Sequence, residues 1–534
     1  MSRQVSLLVL IGVFSATSEI GMAPGSLASV PLMAGQAARP LHGQFNKVPV
    51  LHSNQPEIVK GSGILVDTQP GSAVAAETQR ELRNATYTFN GPFGLHLHHK
   101  YYPDNAKLLG GTRQRGALTI AAIGINPSPR PVTLTFHRGS VKNSFEAPYR
   151  PNQLMGVKPL GRIPWNTGPG DATAVQMLRG ELDRRLPRTV VIPARSRKVI
   201  LSTELPARGI ANGLLRGTSD GQFQMAVVAA EGARSIPDLL SVLDSDQLAP
   251  GRIYLERLGE IQRGEVFSRV AGVALGDHYR GSIRHDLRQG ALHVPLTSTH
   301  KHHFGTRDIQ INPLRTRMID SALNNVGTYG VRYDIDLDLV GAGAHALVLS
   351  HPIAEGRGPF TAFRGSIRIT TSQGYRDVHV GLRSGQSLPI SPLTLIPGET
   401  NRVKVSLVYP ADATPGHLLS VVPHQQVLAL NQPPDVDHHV DHAGHAVPRN
   451  VRPAAAPPPA TSPHNTKAIA GTTAHLHPDD ADQDRPRKLA VQSRTPSLMP
   501  PAVIMPNRLS TTLQQRYRSA IKAQQEWLER MQGR

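Results

Sequence analysis

The chain has 534 residues, enough for two to four domains, with a net charge of +19, no cysteine and only 4% aromatic residues. The missing cysteines exclude thiol chemistry and disulfides, and the scarce aromatics leave cores to be built from Val, Ile, Leu and Ala. Arg outnumbers Lys by 46 to 12, yet no basic block or basic stripe interleaved with aromatics appears, which argues against a nucleic-acid partner.

Met1 to Ala28 has the pattern of a secretory signal. Arg3 gives a positive start, Val5–Ala16 (VSLLVLIGVFSA) an apolar run, and Ser26-Leu27-Ala28 a small-x-small cleavage site. The run is too short to cross a bilayer core of about 30 Å as a helix. The expectation is an exported protein of the periplasm, cell envelope or exterior, a location that argues against nucleotide chemistry.

Between short apolar runs lie 45 prolines and 48 glycines, a distribution that favours an all-β chain rich in turns. Val48–Leu51 and Ile64–Val66 read as short strands. Ala117–Phe136 (ALTIAAIGINPSPRPVTLTF) reads as a hairpin: a strand apolar on both faces, a turn at Asn126–Pro129, and an alternating strand Val132–Phe136. Asp171 can cap a helix over 172–183, and Ser235 one over Ile236–Asp244. Thr189–Leu201 gives strand, Pro turn, strand, and Ile210–Ala230 a further hairpin turned at Asp220-Gly221.

The second half follows the same plan. In Tyr329–Leu339 the residues Val331, Tyr333, Ile335, Leu337 and Leu339 point inward, and Arg332, Asp334, Asp336 and Asp338 outward. Ile396-Pro397 followed by Val403 repeats the spacing of Ile192-Pro193 and Val199, which suggests two modules of one design.

The expected fold is therefore mainly β, with two linked immunoglobulin-like β-sandwich modules, 39–250 and 251–430, and a few short helices. Asn431–Asn507, with fourteen prolines and a formal charge of zero, reads as a disordered linker. Arg508–Gln532 reads as a basic amphipathic helix suited to a membrane surface or a groove.

Three histidine groups invite a metal reading. His96 and His98 share a strand face roughly 6.8 Å apart at about 3.4 Å per residue, but a catalytic zinc wants a third ligand and a held water. The neighbouring His99 points the other way. His300, His302 and His303 sit in a loop beside Lys301. His438, His439, His442 and His445 alternate with Asp435, Asp437 and Asp441, donors suited to weak Zn, Ni or Cu binding in the tail. No cofactor is required. Asp334, Asp336 and Asp338 suit pairing with Arg332, Arg368 and Arg402 better than a calcium site. Two motif matches fail on context. Gly217–Gly221 fits G-x-S-x-G and Gly341–Ala346 a dinucleotide loop, but both lead into strands where a helix is required.

The segments RPLHGQFNKVPVLHSNQPEIVKGSGIL, GPGDATAVQMLRGEL, FSRVAGVALGDHY, NNVGTYGVRYDIDLDL and LVYPADATPG, in this order over residues 39 to 425, resemble the family called domain of unknown function 3370, found in exported cyanobacterial proteins. The resemblance implies compartment and kind of fold and carries over no catalytic residue and no metal site. The expectation for function is a non-enzymatic envelope protein, binding or structural, whose basic surface suits an acidic glycan, an envelope polymer or a membrane surface. The alternatives are an envelope polysaccharide hydrolase and a periplasmic metal buffer acting through the tail.

Overall fold

The computed structural model of the chain describes residues 38–110, 115–149, 155–161, 167–265, 268–352, 360–411 and 413–431. The expected signal segment, the linker with His438, His439, His442 and His445, and the C-terminal helix lie outside the described residues. Among the described residues the protein is mainly β, with several sheets and a few short helices. No described helix is long and apolar enough to cross a membrane.

Among the described residues four sheets carry the fold. Sheet I orders the strands Thr189–Ile192, Val132–Asn143, Ile210–Ser219, Pro92–Tyr101, Pro49–Ser53, Ala271–Leu275, Asn312–Arg317 and Asn324–Asn325, with Ile58–Val59 also paired to Pro92–Tyr101. Sheet II orders Ser196–Pro206, Ala117–Asn126, Gln224–Glu231, Gly63–Asp67, Gln247–Leu248, Ser72–Ala75 and Glu81–Arg83. Sheet III orders Gln44–Phe45, His278–Asp286, Arg332–Val340, Thr400–Val408, Thr361–Thr371, Gly374–Arg383 and Gly156–Pro159. Sheet IV orders Leu292–Leu296, His417–Pro423, Gly343–Ser350 and Ser387–Leu395.

Sheets I and II share one core, in which Leu95, Leu97, Leu134 and Phe136 join Ile120, Ile123 and Val227. Sheets III and IV share the other, in which Tyr333, Ile335, Leu337 and Val405 join Val294, Leu349 and Leu419. The alternation read over 331–339 holds, because every inward residue is fully or almost fully buried. Strand Ala117–Asn126 is covered on both faces, as its apolar sequence requires: helix Ile236–Asp244 packs on sheet II through Leu239 and Leu243. That helix has the expected Ser235 cap, completed into a capping box by Asp238.

Two expectations need correction. Ala117–Phe136 is not a hairpin: its first strand lies in sheet II and its second in sheet I. The chain crosses the core instead of folding back along one edge, so the two strands meet through side chains, not backbone bonds. The same holds for Ile210–Ala230; Thr189–Leu201 has the expected strand, Pro turn and strand, and it too passes from sheet I to sheet II. Nor does Asp171 cap its helix. The helix runs Pro169–Arg179, starts from Gly168 with Pro169 in its first turn, and ends at a left-handed Gly180 with φ 75°. Asp171 falls inside the first turn, where its side chain is taken up elsewhere.

Sheets and chain halves do not coincide. Gln44–Phe45 and Gly156–Pro159 belong to sheet III, while Ala271–Leu275 and Asn312–Arg317 belong to sheet I. Helix Pro169–Arg179 sits between the outer faces of sheets I and III, with Ala174, Met177 and Leu178 against Leu214 and Val408.

A basic cleft between two sheets as candidate functional site

The outward faces of sheets I and III carry polar residues that pattern alone assigns to solvent, yet many are buried where the sheets face each other. On helix Pro169–Arg179, Asp171 is fully buried and accepts from Thr167 (2.7 Å) and Ser366 (2.9 Å), with His379 Nδ1 at 2.9 Å. On sheet III, Asp334 accepts from Arg332 (2.9 and 3.1 Å) and Ser406 (2.5 Å), with His278 Nε2 at 2.8 Å. Burial would push this carboxyl up, but the bonds from His278, Arg332 and Ser406 outweigh it and hold the group far below the usual carboxylate range.

At one edge the two faces part to leave a cleft of about 210 Å³, lined by His137, Arg138 and Arg216 from sheet I and Asp277, His278 and Arg332 from the sheet III side. Met177, Val408 and Phe93 supply its apolar walls. Arg216 is built in: its Nε lies 2.5 Å from Asp277 Oδ2, and its Nη2 donates to the Gly330 carbonyl at 2.9 Å. Gly94 makes room for it, since a Cβ there would meet Arg216 Nη1 at 2.6 Å. Burial pushes the Asp277 carboxyl up, but Arg216, Asn46, His278 and Arg138 bring it below its ordinary value.

Arg138 stands directly opposite Arg216 in the strand register. Like charges in cross-strand positions oppose pairing, and among the described residues Asp277 is the single carboxylate lining the cleft beside both. Arg138 makes no hydrogen bond or ion pair with any described residue, and the Asp277 carboxylate that acts on it from a distance is already paired with Arg216.

The histidines named from sequence separate. His96 Nδ1 faces His52 Nδ1 at 3.2 Å, while His98 Nδ1 lies 3.1 Å from Asn212 Oδ1. Burial, with Arg216 adding to it, takes His52 down to about 3, and burial takes His96 well below its ordinary value, so both rings are neutral near pH 7. His99 Nε2 lies 2.8 Å from Ser53 Oγ. His302 lies tilted toward His351, at 6.1 Å between ring centroids. Among the described residues no group of three or more His, Cys, Asp or Glu could hold a metal ion. Of the three outward aspartates, Asp334 pairs with Arg332 and Asp338 with Arg402 at 3.7 Å. Arg368 goes instead to Asp377, at 2.7 and 2.8 Å, because the register of Thr361–Thr371 on Gly374–Arg383 sets the two opposite one another.

Sequence reading missed Arg138, Arg216, Asp277 and His278. The available signal was an arginine interrupting the apolar strand of IANGLLRGTS, where Arg216 cannot stay buried without a partner.

Fold and site together define a mainly β protein in which two sheet pairs, each with its own core, enclose a basic cleft. The chain belongs to the family of proteins of unknown function DUF3370, whose model matches residues 36–423. No curated protein matches it. Among solved structures, a Paenibacillus xanthan lyase is 8% identical, with 69% of this chain and 27% of that chain covered at a TM-score of 0.13. The chain thus spans about a quarter of that protein's length. A Bacillus subtilis oxalate decarboxylase is 10% identical, with 73% and 82% covered at a TM-score of 0.09. Neither likeness is close enough to carry an argument.

Proposed function

We propose that this chain is an exported, non-enzymatic protein of the cell envelope, in which the two sheet pairs act as linked immunoglobulin-like sandwich modules and the cleft between them takes the anionic group of an acidic glycan. The observation that carries this reading is the pair Arg138 and Arg216, set opposite each other and served by one carboxylate. A carboxylate or sulfate entering the cleft would supply a second negative charge in a partly dried setting, where a charge-assisted bond is stronger than at the surface. At about 210 Å³ the cleft lies below the roughly 300–1,000 Å³ of pockets for drug-sized ligands, which suits one charged sugar unit.

A hydrolase would need two carboxylates across a gap of about 5–9 Å. Among the described residues the cleft lining offers Asp277 alone, tied to Arg216.

The test is affinity electrophoresis of the full chain through gels containing polygalacturonate or neutral dextran. Retardation by the polyuronate that weakens as salt rises, and that falls about tenfold in affinity in Arg138→Ala, is the expected result. Equal retardation by dextran, or an Arg138→Ala protein that binds like the parent, would sink the reading.

A further inference from the structure

Beyond helix Pro169–Arg179 the outer face of sheet III lies open. The strand register arranges its side chains in rows. Next to the helix Arg332 pairs with Asp334 and Arg368 with Asp377, and Arg280 completes that row, opposite Asp334. In the open rows Lys404 stands 4.0 Å from Asp336 and Arg402 3.7 Å from Asp338. On the neighbouring strand His278–Asp286, Arg284 in the open rows and Arg280, whose Nε lies 3.5 Å from His278 Nε2, are both exposed, and neither forms an ion pair with a described carboxylate.

At the far side of the same face stands Tyr375, 68% exposed. The Arg368 guanidinium lies 4.4 Å from its ring centroid, and Asp377 fixes that guanidinium with two bonds. The ring is therefore held in place while most of it stays in water. An aromatic ring held in place on a sheet loses little freedom on contact, which makes it an economical stacking surface.

We infer that this face is a docking platform for an extended acidic polysaccharide, with one sugar ring stacked on Tyr375 and acid groups further along the chain held by Arg280 and Arg284. The inference rests on the acidic-glycan reading of the cleft and adds a second, separate contact. Four strand spacings of about 4.8 Å separate Tyr375 from the arginine strand, a span of roughly 19 Å. Several linked pyranoses cover that distance and a monosaccharide does not. The face also fits a glycan better than a nucleic acid. Asp336 and Asp338 stand among the cations, where they would repel a continuous row of phosphates but can accept bonds from sugar hydroxyls between spaced acid groups.

Affinity electrophoresis of the full chain on polygalacturonate tests the platform, with anionic phosphatidylglycerol vesicles as a second arm in flotation. Tyr375→Ala is expected to weaken polyuronate binding about tenfold, while Tyr375→Phe, which keeps the ring, stays within about twofold. The double variant Arg280→Glu/Arg284→Glu is expected to lose about tenfold as well. If Arg138→Ala weakens binding while the Tyr375 and Arg280/Arg284 variants bind like the parent, the platform is overturned and the cleft stands. If Tyr375→Ala loses binding while Arg138→Ala does not, the platform stands and the cleft reading falls. Binding to vesicles without binding to the polyuronate overturns the platform in favour of a lipid surface.

Discussion

Glu57 lies buried between Arg269 and Lys100, the latter at 3.1 Å. Burial pushes its carboxyl up, but Arg269 and Lys100 outweigh this and bring it from 4.5 down to about 2. A folded value below the unfolded one means that the stabilisation is complete above about pH 4.5 and drains away as pH falls towards 2. Its size is about 3 kcal/mol at neutral pH. Chemical unfolding of the parent and Glu57→Gln at pH 7 and pH 3 should show the stability gap narrowing by about 2 kcal/mol at the lower pH; a gap of constant size would refute the linkage. Burial itself was legible at this scale. Ile335 is fully buried and Asp336 exposed, as the alternation over 331–339 requires. Ile335→Asp is therefore expected to cost more than about 3 kcal/mol by leaving a carboxylate in the core. Asp336→Asn should stay within about 0.5 kcal/mol, since its pair with Lys404 is a surface one. Equal melting shifts would mean that the buried face is misassigned. What alternation could not reveal is that Asp334 and Arg216, also pointing away from their cores, are buried by a second sheet.

Among elements, strands were legible and their partners were not. Strand, turn, strand is the same local pattern whether the second strand folds back beside the first or crosses to the opposite sheet. At the crossing that follows Ala117–Asn126 the decision rests on Asn126, whose amide donates to the carbonyls of Arg130 (2.7 Å), Pro193 (2.9 Å) and Ile192 (3.1 Å). One side chain thereby joins this crossing to the one at Ile192-Pro193. Asn401 does related work at the other repeat, bonding the backbone N–H of Ile396 at 2.8 Å and its carbonyl at 3.1 Å. The shared Ile-Pro spacing thus marks a place where the chain changes sheets in each half: from I to II after Ile192, and from IV to III after Ile396. Asn126→Ala would leave buried carbonyls without their donor and should destabilise by about 2–3 kcal/mol. The midpoint in urea should fall with the slope unchanged. An unshifted midpoint would show that the crossing holds without Asn126.

For the whole molecule, the sequence suggests two modules in series, and the strands interlock them. Sheet III takes Gln44–Phe45 and Gly156–Pro159 from chain whose neighbours build sheet I; sheet I takes Ala271–Leu275 and Asn312–Arg317 from chain interleaved with sheets III and IV. This exchange was not legible, because a short strand carries no label for the sheet it will join. Between the sheet pairs, helix Pro169–Arg179 is bound on one side by Asn212 to Thr173 and on the other by Ser366 and His379 to Asp171. Melting one core would strip strands from the other and take Ser366 and His379 from Asp171, and Asp277 from Arg216, in the opened interface, a cost that couples the two. We therefore predict one cooperative thermal transition, although a chain of this length with two cores could show two. Leu97→Ala in the first core and Val405→Ala in the second provide the probes, since both residues are fully buried and large-to-small changes there cost roughly 2–5 kcal/mol. Scanning calorimetry should show each variant lowering the same single endotherm, with calorimetric and van't Hoff enthalpies close to one another. Two endotherms, one answering only to Leu97→Ala and the other only to Val405→Ala, would mean that the sheet pairs unfold independently despite the shared strands.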